Sequence, residues 1–203
     1  MFRWLFIVLM FFGGAALSAD VNEPDHAIHE ELRDLLRGLE EAVNSEQYDK
    51  LQQYLHKDMR ITMSNQEVLT SYADVERFFQ FWFGPGGYLK RVEMKLDADA
   101  PTELYADKTI GIVRGSGVED TYLSDSRFFP MKTRWTATVI KDGDGRWRVL
   151  SLHIGVNFLD NPVLSMVEES GKYIAIAAAF GGLLAGLLAG YLLWRRRTAS
   201  EAQ

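Results

Sequence analysis

Apolar residues recur at helical spacing between residues 25 and 44: Ile28, Leu32, Leu35, Leu36, Leu39 and Val43, with charges between them. That pattern predicts an amphipathic helix. Ser45 is placed to cap a second, shorter helix running to Leu55. "MRITM" and "EVLT" follow as short strands. Ser71 is placed to cap a third helix, which carries Val75, Phe78, Phe79, Trp82 and Phe83 as an aromatic stripe, and "GPGG" at 84–87 ends it. From Tyr88 onward the apolar period becomes two. In "YLKRVEMKLDA", Val92, Met94 and Leu96 alternate with charges. "KTIGIVRGSG", "VEDTYLS", "MKTRWTATVIK" and "RWRVLSLHIGV" read as further strands, with "KDGDG" as the hairpin turn between the last two. Helices first and then a run of antiparallel strands is an α+β arrangement. The expectation is three N-terminal helices packed on a curved antiparallel sheet, with a cavity between the two layers.

Both ends of the chain break this pattern. Residues 1–19 have a cationic start at Arg3, a short apolar run from Trp4 to Phe12, and small residues up to Ala19. That is the layout of a cleaved secretory signal peptide. Tyr173 to Trp194 carry no charge and as a helix would extend about 33 Å, enough to cross a bilayer core. Tyr173, Tyr191 and Trp194 stand where interfacial aromatics are expected. Arg195, Arg196 and Arg197 follow at once, against Lys172 alone on the other side. By the positive-inside rule the C-terminus is cytoplasmic. The predicted organisation is a signal peptide (1–19), an exported α+β domain (20–160), a short juxtamembrane helix or linker (161–172), a transmembrane helix (173–194) and a basic tail (195–203). Asn161 before Pro162 is a favoured start for the juxtamembrane helix. Ala178, Gly182, Gly186 and Gly190 recur every four residues along the span, a small-residue face suited to close helix packing and self-association.

Charge and composition narrow the function. Residues 20–171 carry 17 Lys and Arg against 27 Asp and Glu. An acidic domain repels phosphate backbones, which argues against nucleic acid as a partner. The chain has no cysteine, so disulfides, thiolate nucleophiles and lipidated cysteines are excluded. With no glycosylation sequon either, the predicted location is a bacterial inner membrane, with the domain in the periplasm. Metal binding is not expected: His26 and His29 form an i, i+3 pair with no converging third ligand, and "DGDG" at 142–145 lacks the later acids of a calcium loop. No phosphate-binding glycine loop and no nucleophile elbow occur, and no cofactor is implied.

The helix–helix–strand–strand–helix–meander order, the ending "RWTATVIKDGDGRWRVLSLH" and the polar "NFLDNP" after it resemble the nuclear transport factor 2-like superfamily, and within it the SnoaL-like group, over roughly residues 25–162. The resemblance implies a cone-shaped fold. That fold hosts isomerases, dehydratases, cyclases, transport factors and oligomerisation modules, so it does not by itself give a function. Enzymes of the superfamily place a carboxylate inside the cone as a general base, with a Tyr or a protonated Asp polarising a carbonyl. The strand-borne candidates for such roles are Asp120 and Tyr122, which share a face, and His153 on the last strand. Strict alternation puts Trp147, Val149, Ser151 and His153 on one face and Leu150, Leu152, Ile154 and Val156 on the other. Both faces are apolar, so the pattern leaves open which one looks into the cone. Arg114 and Arg134 are unusual charges within apolar strands and, with Trp82, are candidate ligand-binding residues. The alternative for the arginines is cross-strand pairing, Asp120 with Arg134 or Glu119 with Arg114.

The expected function is a membrane-tethered small-ligand-binding or protein-assembly module, homodimeric and without a cofactor. The alternative is a cofactor-free isomerase or lyase acting on a small carbonyl compound through Asp120, Tyr122 and His153. A sensor that couples a ligand to the span through another membrane protein is a third possibility.

Overall fold

The computed structural model describes residues 24–200, with side chains through Trp194. The proposed signal peptide and the end of the basic tail lie outside the described residues.

The first helix, α1 (His26–Asn44), buries Leu32, Leu35 and Val43 along its apolar side. The second expected helix is only a 3-10 segment, Tyr48–Gln53. Ser45 does not start it. Its backbone N–H donates to Glu41 O and its hydroxyl to the same carbonyl, so Ser45 closes α1 instead. Strand β1 (Leu55–Thr62) and the two-residue β2 (Val68–Leu69) follow. Helix α2 (Tyr72–Phe83) begins as its sequence dictates, with Ser71 Oγ accepting from the Asp74 N–H. Its stripe is core: Tyr48 stacks on Phe79 at 4.0 Å between ring centroids, and Phe78 meets Phe79 edge-on at 5.4 Å.

The meander comprises β3 (Leu89–Ala98), the short β4 (Glu103–Tyr105), β5 (Ile110–Leu123), β6 (Phe128–Lys141) and β7 (Trp147–Val156). The stretches expected as two strands, around Ile112 and Tyr122, are one long strand, β5. Gly115-Ser116-Gly117 between them does not turn but stays in the ladder, and β6 pairs with β5 continuously from Ile110 to Tyr122. The seven-stranded sheet has the order β2-β1-β7-β6-β5-β3, with β4 beside β3 on the same edge of β5. One pairing is parallel: β1 runs alongside β7. The sheet curves around α1 and α2, and the core lies between them, with Met59 fully buried.

The register of β7 resolves its doubly apolar pattern. Val149 pairs with Val139, but the next ladder pair is Ser151 with Thr138, so Leu150 is an extra residue in a bulge. A bulge shifts the alternation by one. Trp147 and Val149 before it, and Leu152 and Ile154 after it, therefore all face the concave side. Ser151 and His153 face outward.

Helix α3 (Pro162–Ser200) is continuous through Gly171, where the sequence suggested a junction. Asn161 Oδ1 caps it by accepting from the Leu164 N–H at 3.0 Å. Residues Pro162–Trp194 make the single helix among the described residues that is long and apolar enough to cross a membrane. It is compatible with a single-pass membrane protein. Ala178, Gly182, Gly186 and Gly190 are exposed along it.

Candidate functional site

Inner-face residues of β5 and β6 build the floor of a cavity. Across these strands Gly111 stands opposite Val139, Val113 opposite Ala137, Gly115 opposite Trp135, and Gly117 opposite Thr133. The next inward position on β5 is Glu119, flanked by Met94 on β3 and Met131 on β6. The glycines have a steric reason. A Cβ on Gly115 would lie 2.2 Å from the Trp135 ring and 2.2 Å from the Asp97 carbonyl oxygen. Glycine here lets the indole lie flat on the strand, where its Nε1–H donates to Ser116 O at 3.0 Å.

Helix α1 roofs this floor and leaves a cavity of about 640 Å³. Leu32, Leu36 and Leu39 line it from above; Leu96, Trp135, Val139, Leu152 and Ile154 line it from below. The rim is polar. Arg33 and Arg37 of α1 lie on one side, and Asp97 to Thr102, at and beyond the end of β3, on the other. Both arginines have partners: Arg33 bonds Glu30, and Arg37 bonds Asp34.

Two ionisable side chains face the interior, His29 and Glu119. His29 is buried. Burial pushes the Glu119 carboxyl above its ordinary range, and the nearby Thr133 hydroxyl opposes the shift only in part. Thr133 is itself buried, and its Oγ1 has no well-formed hydrogen bond among the described residues. An apolar chamber with a carboxyl held toward its neutral form can bind a hydrogen-bond acceptor as an acid, or accept a proton from a bound molecule as a base.

The residues singled out from sequence lie elsewhere. Asp120, Tyr122 and His153 all project from the convex face, outside the cavity lining. The Tyr122 ring packs against Phe128 at 5.1 Å and beneath the Arg91 guanidinium at 4.8 Å. His153 is exposed, between Thr62 and Thr136. The three do not converge. Arg134 pairs in bidentate fashion with Asp99, not with Asp120. That contact holds the Asp99 carboxyl below its ordinary range. Arg114 reaches Glu103 at 3.4 Å, not Glu119, because Arg114 and Glu119 point to opposite sides of β5. Both arginines project from the outer face, although their partner Asp99 stands on the cavity rim and Arg114 borders a shallow hollow beside Pro101. Trp82 packs against the core beside Phe78, donating from Nε1 to Glu67 at 2.8 Å, and does not line the cavity. Among the described residues, no three His, Asp or Glu side chains are grouped to hold a metal ion.

From sequence, Glu119 reads only as an ion-pair partner and His29 only as half of an i, i+3 histidine pair. A signal for Glu119 was present: Gly115, Gly117 and Glu119 share one face at a period of two, and glycines on one face mark where something packs closely.

No protein-family model matches the sequence, and no curated protein matches it significantly. Solved structures do. The hexachlorocyclohexane dehydrochlorinase LinA-type3 from Novosphingobium barchaimii LL02 superposes with a TM-score of 0.56 at 13% identity, over 65% of this chain and 88% of that one. An NTF2-like superfamily protein from Salmonella enterica serovar Typhimurium gives 0.54 at 12% identity, over 64% and 91%. A protein assigned as a scytalone dehydratase from Novosphingobium aromaticivorans DSM 12444 gives 0.56 at 10% identity, over 65% and 85%. At these identities the likeness shows the fold alone: the domain has the cone fold of the nuclear transport factor 2-like superfamily.

Proposed function

We propose that this chain is a membrane-tethered small-molecule-binding protein of the SnoaL-like group. The observation that carries this reading is the cavity of about 640 Å³, apolar on most of its surface, with Glu119 facing its interior. Chambers of this size and lining bury most of a small organic molecule and orient it with a few polar groups. The occupant is an apolar compound with one hydrogen-bonding group directed at Glu119. The tether is α3, the export signal is residues 1–19, and Arg195 to Arg197 keep the C-terminus cytoplasmic, so the domain faces the periplasm. Self-association through Ala178, Gly182, Gly186 and Gly190 would make a homodimer.

The test is to purify the full chain from membranes, release bound small molecules by denaturation and identify them by mass spectrometry. Ala137→Trp, which fills the cavity, is the control. A compound present with the parent chain and absent with folded A137W supports the reading; equal recovery from both sinks it.

A second reading, a cofactor-free isomerase or lyase, is favoured by the half-buried Glu119 carboxyl facing the cavity. It moves the acid–base role from Asp120, Tyr122 and His153 to Glu119. Turnover of the bound compound that is lost in Glu119→Gln while binding persists separates the two readings.

A further inference from the structure

The end of the domain from which α3 leaves carries exposed apolar side chains that neither the cavity nor the core uses. Phe158 and Leu159 are 75% and 71% exposed. They form the tip of a turn held by its own hydrogen bonds: Leu159 N–H to Asn157 Oδ1 at 3.1 Å, and Asn161 Nδ2 to Asn157 O at 2.9 Å. The next residues open α3, whose first turns are amphipathic. Val163 and Val167 are exposed along one side and lead down the helix to Ile174, while Ser165, Glu168, Glu169 and Lys172 occupy the other. Arg127 joins this stretch to the sheet: its guanidinium contacts Met166 Sδ at 3.7 Å and bonds Tyr88 Oη at 2.8 Å.

We propose that this end is a bilayer-contact surface, in which Phe158, Leu159, Val163 and Val167 lie in the lipid interface and hold the domain against the membrane. The proposal rests on the reading of α3 as a span. The occupant follows from continuity, since the apolar side of residues 162–172, broken by a single polar residue, Ser170, runs into the uncharged segment that begins at Tyr173. Length sets the geometry. Eleven residues from Pro162 to Tyr173 would lift the turn about 16 Å above the hydrocarbon if α3 stood upright. The headgroup layer is only about 6 Å deep, so contact requires a strongly tilted helix. At about 40°, the upper end of the range for spanning helices, Pro162 lies about 12 Å up along the axis. The uncharged segment then covers only about 25 Å of the roughly 30 Å core, which draws the first turns of α3 about 5 Å deeper, to the edge of that layer. The tilt is toward the Val163–Val167 side. Glu168 and Glu169 then face water, so the contact is apolar and not selective for anionic lipid. The cavity rim at residues 97–102 belongs to the opposite end of β3 from Leu89, next to which Tyr88 and Arg127 meet α3.

The absence of cysteine permits single-site nitroxide labelling of the full chain in phosphatidylcholine vesicles. The sites are Phe158→Cys and Val167→Cys, with Gly143→Cys in the distal hairpin and Ile176→Cys in the apolar segment as references. Collision with dissolved oxygen reports lipid, and collision with a water-soluble nickel complex reports water. The expected result is lipid exposure at 158, 167 and 176, water exposure at 143, and no change when phosphatidylglycerol is added. Lipid exposure at 176 with water exposure at 158 and 167 would overturn the proposal and leave the tether intact. Water exposure at 176 would overturn the tether and the proposal together. Protection from both reagents at 158 and 167 would assign the surface to a protein partner and overturn it as well.

Discussion

Glu119 and Asp120 are adjacent in β5 and lie on opposite sides of the sheet. Glu119 faces the cavity between Met94 and Met131, whereas Asp120 lies on the outer face between Glu93 and Pro130. One residue of register thus separates a carboxyl in a low-dielectric chamber from one on the convex surface. Burial holds the Glu119 carboxyl above its ordinary range. The sign of its effect on stability follows. A carboxyl whose folded-state pKa exceeds its unfolded value favours the fold while it is protonated, and that contribution is lost as pH rises through the folded pKa. Glu119→Gln keeps a neutral side chain of the same shape at every pH. It should therefore melt higher than the parent chain at neutral pH, with the gap closing as the solution is acidified through the carboxylate range. Thermal unfolding as a function of pH checks this; a gap independent of pH would mean that the carboxylate is solvated through the rim.

The bulge at Leu150 makes a sharp pair of predictions on β7. His153 lies outside and is exposed; Leu152, its neighbour, packs against the core and lines the cavity. His153→Lys should change stability by no more than about 0.5 kcal/mol, as at other surface positions. Leu152→Lys inserts an unpaired ammonium among apolar side chains and should cost several times that, or prevent folding. Urea titration measures both. If the strand kept strict alternation from Trp147 without a bulge, the two results would be exchanged.

The same bulge shows what sequence could and could not deliver. The helices-then-meander layout, the α2 cap at Ser71 and the hairpin at 142–145 follow from local pattern, because period, caps and turns are local physics, whereas the cone is what the resemblance to the nuclear transport factor 2-like superfamily implies. Facing along a strand is not local. The pattern "RWRVLSLHIGV" is equally consistent with either face until the extra residue is placed, and its placement depends on pairing with β6. For the same reason Asp120 and Tyr122 read as strand-borne acid–base candidates and Arg114 and Arg134 as unusual charges in apolar strands, although all four occupy the convex face. Asp99, the true partner of Arg134, lies just beyond the end of β3 and offers no periodic signal. The cavity arises from the distance between α1 and the sheet, which no single segment encodes.

Ser71 tests the contribution of a helix start. Its Oγ accepts from the Asp74 N–H at 3.2 Å, while Asp74 Oδ2 accepts from the Thr70 N–H and Oγ1 at 3.0 Å each. These bonds lower the Asp74 carboxyl to about 2. Ser71→Ala should destabilise the domain by about 1 kcal/mol. Asp74→Asn should destabilise it at neutral pH. Because a depressed pKa contributes above the unfolded value and is lost as pH falls through the folded one, the Asp74→Asn difference should shrink between about pH 4 and 2. Melting curves across that window check this; because the Ser71 hydroxyl also helps to lower the Asp74 carboxyl, part of the Ser71→Ala cost should fade over the same window, leaving its bond to the Asp74 N–H as the part that does not titrate.

Gly115 places the cavity floor under the tightest steric test. An added Cβ meets the Trp135 ring, which could rotate only by losing its bond to Ser116 O, and the Asp97 carbonyl of the paired strand, which cannot move without breaking the β3–β5 ladder. Gly143, in the hairpin turn, has nothing within 4 Å of the same added atom. Gly115→Ala should therefore cost about 2 kcal/mol or more, in the range of overpacked cores, whereas Gly143→Ala should stay within about 0.5 kcal/mol of the parent. Because Trp135 lines the cavity, the damage should be optical as well as thermodynamic: near-ultraviolet circular dichroism of folded Gly115→Ala should change in the tryptophan band, and that of Gly143→Ala should not. A Gly115→Ala protein of unchanged stability and spectrum would mean that the indole does not lie against the strand, and the floor of the proposed binding chamber would have to be redrawn.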